Sequence, residues 1–97
     1  MIRHIVLFKL FDGVTREDPR AAVAFDTLAK LGGVIPELRF WQVGWNISDR
    51  DIANDVALIA DVNDAGALQR YIAHPEHQAV LPLLREVSSW VVVDLEI

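Results

Sequence analysis

The segment Tyr71-Ile72-Ala73-His74-Pro75-Glu76-His77 holds two of the chain's three histidines and its one tyrosine. Pro75 has no N–H and disfavours a helical conformation at His74, so a helix arriving through Leu68 stops there. The same proline is a good first residue for a second helix. On that second helix His77, Val80, Leu81 and Leu84 fall on one face, apolar except for the imidazole. Leu68, Tyr71 and Ile72 share a face of the incoming helix in the same way. A phenol and an imidazole therefore aim at the interior from the two sides of a proline corner. Such a pair can move protons, and it can equally be a core pair whose polar tips find partners. His74 and His77 also form a His-x-x-His pair. With His4 as the only histidine left, no carboxylate follows one helical turn on to complete a ligand set, so no metal is expected. The chain has no cysteine, which excludes disulfides and thiolate chemistry.

The elements that must hold these residues can be read in order. Residues 3–11 form a strand with His4, Val6, Phe8 and Leu10 on one side and Ile5 and Leu7 on the other. Both sides are apolar, so both must be covered. His4 is expected at a strand end, half solvated. Asp12-Gly13 is a turn. Thr15 or Asp18 caps a helix that has Pro19 in its first turn and runs to about residue 31. Its buried stripe is Ala21, Phe25, Leu28 and Gly32, and Gly32-Gly33 ends it. Residues 38–47 form a second strand, with Trp41, Val43, Trp45 and Ile47 on its apolar face. Gly44 in mid-strand predicts a bulge or a close approach. Residues 55–62 form a third strand, apolar on both faces. Asn63 or Asp64 caps a helix over 65–73. After the proline corner Pro82 predicts a kink or a restart. Residues 90–97 are the last strand, with Val91, Val93, Leu95 and Ile97 opposite Trp90, Val92, Asp94 and Glu96.

The order β-α-β-β-α-β is that of the ferredoxin-like split βαβ arrangement, an α+β fold. It predicts a four-stranded antiparallel sheet with its helices on one face. The apolar residues on the other face need a cover, most simply a second copy of the sheet, so a homodimer through the open face is expected. Ninety-seven residues make one domain, 1–97. The net charge of −5 argues against a nucleic-acid or anionic-membrane surface. No apolar run is long enough to span a bilayer. The N-terminus enters a strand without a signal-peptide layout, and a cysteine-free chain fits the cytoplasm.

The opening His4-Ile5-Val6-Leu7-Phe8-Lys9-Leu10, the Ile35-Pro36 before the second strand, the Gly44-Trp45-Asn46-Ile47-Ser48 at its end and Tyr71-x-x-His74-Pro75-x-His77 together resemble the stress-responsive A/B barrel family, also called dimeric α+β barrel proteins. The likeness spans nearly the whole chain. It implies two ferredoxin-like protomers closing their sheets into a barrel. A cyclase branch of the family closes a linear poly-β-keto thioester by an aldol-type step, without metal or cofactor. It uses a Tyr and a His that match Tyr71 and His77. His77 would then be the general base and Tyr71 the donor that stabilises the enolate. His4, Val6, Phe8, Phe25, Leu28, Leu58 and Ile72 would line the pocket between sheet and helices. One departure is Leu28, which leaves no second phenol on the first helix.

Three functional classes follow. The first is a cofactor-independent lyase or cyclase acting on a small apolar, polyketide-like carbonyl compound. The second is a non-catalytic dimer that binds a small ligand or serves in stress protection. The third is a cofactor-free monooxygenase-like enzyme. A cavity reaching both Tyr71 and His77 separates the first from the second.

Overall fold

A computed structural model describes residues 1–97. Its elements are β1 (Ile2–Leu10), α1 (Pro19–Ala29), a 3₁₀ turn (Lys30–Gly33), β2 (Phe40–Trp45), β3 (Val56–Val62), α2 (Ala65–Ala73), α3 (Pro75–Val87) and β4 (Ser88–Glu96). The four strands form one antiparallel sheet in the order β2-β3-β1-β4. This is the ferredoxin-like fold, with the second helical stretch divided in two at the proline corner.

The alternation along β1 and β3 decides where the core lies. Val6, Phe8, Val56, Leu58, Ala60 and Val62 point to one side and are buried against Ala21, Ala24, Phe25 and Leu28 of α1 and Val80, Leu84 and Val87 of α3. Fully burying one such leucine contributes about 1.5–3 kcal/mol. On the opposite face Ile5, Leu7, Ile59, Val91, Val93 and Leu95 line up across the sheet by register, and no helix covers them. Leu7 is 40% exposed and Val91 63%.

Local chemistry sets the ends. Asp18 rather than Thr15 caps α1, its carboxylate accepting from the Arg20 N–H at 2.9 Å. Asp64 caps α2 through the Ala67 N–H at 2.8 Å. Gly13 has φ of +84°, as the turn after β1 requires. Strand β2 starts at Phe40 and ends at Trp45, inside the expected 38–47; at its end the Asn46 side chain bonds Ser48 through both its carbonyl and its amide group and turns the chain away. Ile47 therefore leaves the apolar face and is fully exposed.

Two glycines and a proline differ from expectation. The β2–β3 register runs without interruption through Gly44, which pairs with Ala57, so there is no bulge. A Cβ at Gly44 would meet nothing within 4 Å, so no close approach occurs there within the chain. The close approach is at Gly32, where a Cβ would lie 2.6 Å from the Trp41 ring. Of the kink or restart expected at Pro82, the restart does not occur, because α3 runs through it. Pro82 is exposed, and so is Gln78, whose carbonyl loses its helical donor to Pro82 and can turn to water.

Candidate functional site

The proline corner builds its own geometry. In a continuous helix the Tyr71 carbonyl would take an N–H from residue 75, which is proline; the His74 N–H takes its place at 3.1 Å. The Ile72 carbonyl would take the Glu76 N–H. That N–H instead donates to His74 Nδ1 at 3.1 Å, with His74 the N-cap of α3. The freed Ile72 carbonyl accepts from His77 Nδ1 at 2.8 Å and from Gln78 Nε2 at 2.7 Å. A carbonyl only accepts, so His77 Nδ1 carries the proton and Nε2 is left with the basic lone pair. Desolvation at this half-buried site is the largest influence on His77 and lowers its pKa below the usual imidazole value. His77 is thus held neutral, with one tautomer selected.

Tyr71 stands beside it, the ring centroids 4.7 Å apart. Burial, aided by the negative charge of Asp94, raises the Tyr71 pKa well above the usual phenol range, so the hydroxyl remains a donor. No residue hydrogen-bonds that hydroxyl. Yet no side-chain polar atom is sealed from solvent without a partner. The hydroxyl therefore faces the cavity between the sheet and the helices, which has a volume of about 270 Å³.

His4 also stands beside Tyr71, its centroid 5.6 Å from that ring. His4 is not a half-solvated strand end: it is 6% exposed. Its Nδ1 donates to Asp94 Oδ1 at 2.6 Å across the β1–β4 ladder, where the two residues are register partners. Two imidazoles, each fixed through Nδ1, thus stand beside one phenol. His74 does not join them, because its ring is spent on the helix cap. No group of three His, Cys, Asp or Glu side chains is placed to hold a metal ion.

The cavity is lined by His4, Val6, Phe8, Leu28, Leu58 and Ile72, together with Tyr71 and His77. Phe25 is a correction: it does not line the cavity but packs edge-on between Phe8 and Trp45, at 5.3 and 5.2 Å, and belongs to the core. Leu81, Leu84 and Arg85 of α3 and Trp90, Val92 and Asp94 of β4 complete the lining. The alternation of the last strand put Trp90, Val92 and Asp94 on one side but could not say which side; that depended on the register of β4 against β1. Asp94 as the partner of His4 could not be read before the pairing was known.

The model of the family described as Stress responsive A/B Barrel Domain matches residues 2–97. An uncharacterized protein of Streptomyces coelicolor is 54% identical over 96 residues, covering 99% of both chains. A dimeric ferredoxin-like protein of unknown function from Thermobifida fusca superposes with a TM-score of 0.86 at 30% identity, over 99% of this chain and 90% of that one. A dimeric protein of unknown function and ferredoxin-like fold from Bacteroides fragilis gives 0.82 at 30% identity, over 99% and 95%.

Proposed function

This chain belongs to the stress-responsive A/B barrel domain family, and on that premise we propose that it is a cofactor-independent lyase or cyclase acting on a small, polyketide-like carbonyl compound. The observation that carries the reading is the pairing of a neutral His77, its Nε2 free, with an unpartnered Tyr71 hydroxyl at one apolar cavity. His77 Nε2 removes an acidic proton from a carbon between two carbonyls. Tyr71 O–H donates to the oxygen on which the enolate charge gathers. The enolate carbon attacks a carbonyl carbon farther along the same chain and closes a ring. The new alkoxide takes back the proton from the His77 imidazolium, which restores the base. Asp94 holds His4 in one orientation on the opposite wall, where its ring can take part in the same proton traffic.

The reading is tested with a linear poly-β-keto thioester carried on N-acetylcysteamine, following ring closure by the absorbance of the cyclised product. Accelerated closure that is lost in His77→Ala supports it. Binding without acceleration in the wild-type protein points instead to the ligand-binding class.

The second copy belongs to the same proposal: we infer a homodimer through the open sheet face. Leu7, Val91, Val93 and Leu95 are exposed there, and the Thermobifida and Bacteroides relatives are described as dimeric. Gly44 and Ala57 sit side by side on that face, at the floor of a hollow of about 490 Å³ that Leu7, Ile52 and Ile59 also line. Small residues there leave room for side chains from a facing sheet.

A further inference from the structure

We propose that the ligand of this cavity carries a carboxylate, and that Arg85 is the specificity-determining residue that receives it. The inference rests on the carbonyl-binding reading of the Tyr71–His77 end and adds the chemistry of the other end. Most of the chain's cations are already engaged. Arg3 pairs with Asp61, Lys9 with Asp55, Arg20 with Asp18 and Glu86, and Arg70 with Glu37. Arg16 lies over the Trp45 ring and Arg39 donates to the Pro36 carbonyl. Lys30, Arg50 and Arg85 have no such partner, and of these three only Arg85 lines the cavity.

Its neighbours do not cancel it. Glu86, next in sequence, pairs with Arg20 at 3.7 Å. Asp94, the one carboxylate in the cavity wall, points at His4 Nδ1 at 2.6 Å. The rest of the wall is apolar or aromatic apart from the two imidazoles and the phenol. In a chain of net charge −5 an unpaired guanidinium at the rim of an apolar cavity is a local attractor for an anion. A guanidinium matches a carboxylate through two parallel N–H donors.

Position also sets the length of the ligand. His77 and Arg85 are two turns apart on α3, which places their Cα atoms about 12 Å apart along its axis. Helical side chains lean toward the N-terminus, a tendency that shortens the span between the two groups. The ligand is therefore a medium-length carbonyl compound with a carboxylate at the end remote from the reacting carbonyls. Its carbonyl lies between Tyr71 and His77, its apolar middle lies against Phe8, Leu58 and Trp90, and its carboxylate lies at Arg85.

The test uses a matched pair, 7-oxooctanoate and its methyl ester, titrated calorimetrically into the dimer or whatever assembly the full chain forms. The acid is expected to bind roughly three- to tenfold more tightly than the ester, as one partly exposed charge pair allows. That preference should shrink as salt is raised. Arg85→Gln should abolish it, bringing the acid's affinity to that of the ester measured on the same variant, and Arg85→Lys should keep part of it. Equal binding of acid and ester by the wild-type protein overturns the proposal. So does a preference that survives in Arg85→Gln, and so does the absence of binding by either compound at millimolar concentration. Failure of the catalytic reading looks different: the acid preference persists, and persists in His77→Ala, while no thioester is cyclised.

Discussion

At the scale of single residues, the arrangement predicts that stability and activity come apart at the proline corner. His77→Ala removes one of two donors to the Ile72 carbonyl, and Gln78 Nε2 remains bonded to it at 2.7 Å. The loss of stability should therefore be only about 1 kcal/mol in a denaturant titration. Turnover, on the proposed mechanism, should fall by about 10²–10⁴-fold. Tyr71→Phe removes a hydroxyl that has no partner in the protein, so the melting curve should hardly move while turnover falls roughly 10²-fold. A Tyr71→Phe protein as unstable as a core cavity mutant would show the hydroxyl to be structural. The pH dependence follows from the lowered His77 pKa. The folded state resists protonating this imidazole and the unfolded chain does not. Its contribution to stability is complete above the unfolded value of about 6.5 and is lost as pH falls from there toward the folded pKa. Thermal midpoints should drop between neutral and mildly acidic pH, and His77→Asn should flatten that slope. On the same grounds the rate should rise with pH to a plateau, with its midpoint below the usual imidazole value.

At the scale of elements, the joint between α1 and β2 is the tightest in the fold. Gly32 lies under the Trp41 ring, and Trp41 cannot swing aside freely, because its Nε1 donates to the Ala29 carbonyl at 3.1 Å. Gly32→Ala should cost about 1–3 kcal/mol through overpacking, read as a shift in the denaturant midpoint. Gly33→Ala, where a Cβ would meet nothing within 4 Å, serves as the neighbouring control. Trp41 also packs against Tyr71, centroids 6.0 Å apart. The joint thus supports the Tyr71 ring, and Gly32→Ala should weaken ligand binding as well as stability.

At the scale of the whole molecule, the sheet has one finished face and one unfinished one. The proposed dimer should sediment at twice the chain mass at micromolar concentration. Leu7→Asp or Val93→Asp would place an unpaired charge in the middle of the facing sheets, costing several kcal/mol. Each should give a monomer or an unfolded chain. A wild-type protein that sediments as a folded monomer sinks the dimer. It leaves the cavity chemistry standing, since His4, Tyr71, His77 and Asp94 come from one chain.

The sequence by itself determined the element order, because strand and helix periods, the Asp12-Gly13 turn and the Pro75 corner are local and each leaves its own mark. It also set Tyr71 and His77 toward one interior, since both belong to apolar stripes whose direction follows from spacing. Element ends were less legible. The Asn46 turn that ends β2 and the exposed Pro82 that α3 tolerates depend on side-chain bonds and on solvent, which spacing does not carry. The partners of the site were not legible at all. Asp94 reaches His4 over ninety positions of sequence, and only the β1–β4 register makes them neighbours. Phe25 kept its place on the α1 stripe, but the tertiary packing gave its ring to Phe8 and Trp45 rather than to the cavity. Arg85 left no mark in the helix pattern; only the fold places it in the cavity wall, with Glu86 and Asp94 engaged elsewhere. Periodicity fixes which way a side chain points; what it meets there is decided by long-range pairing, which no local pattern encodes.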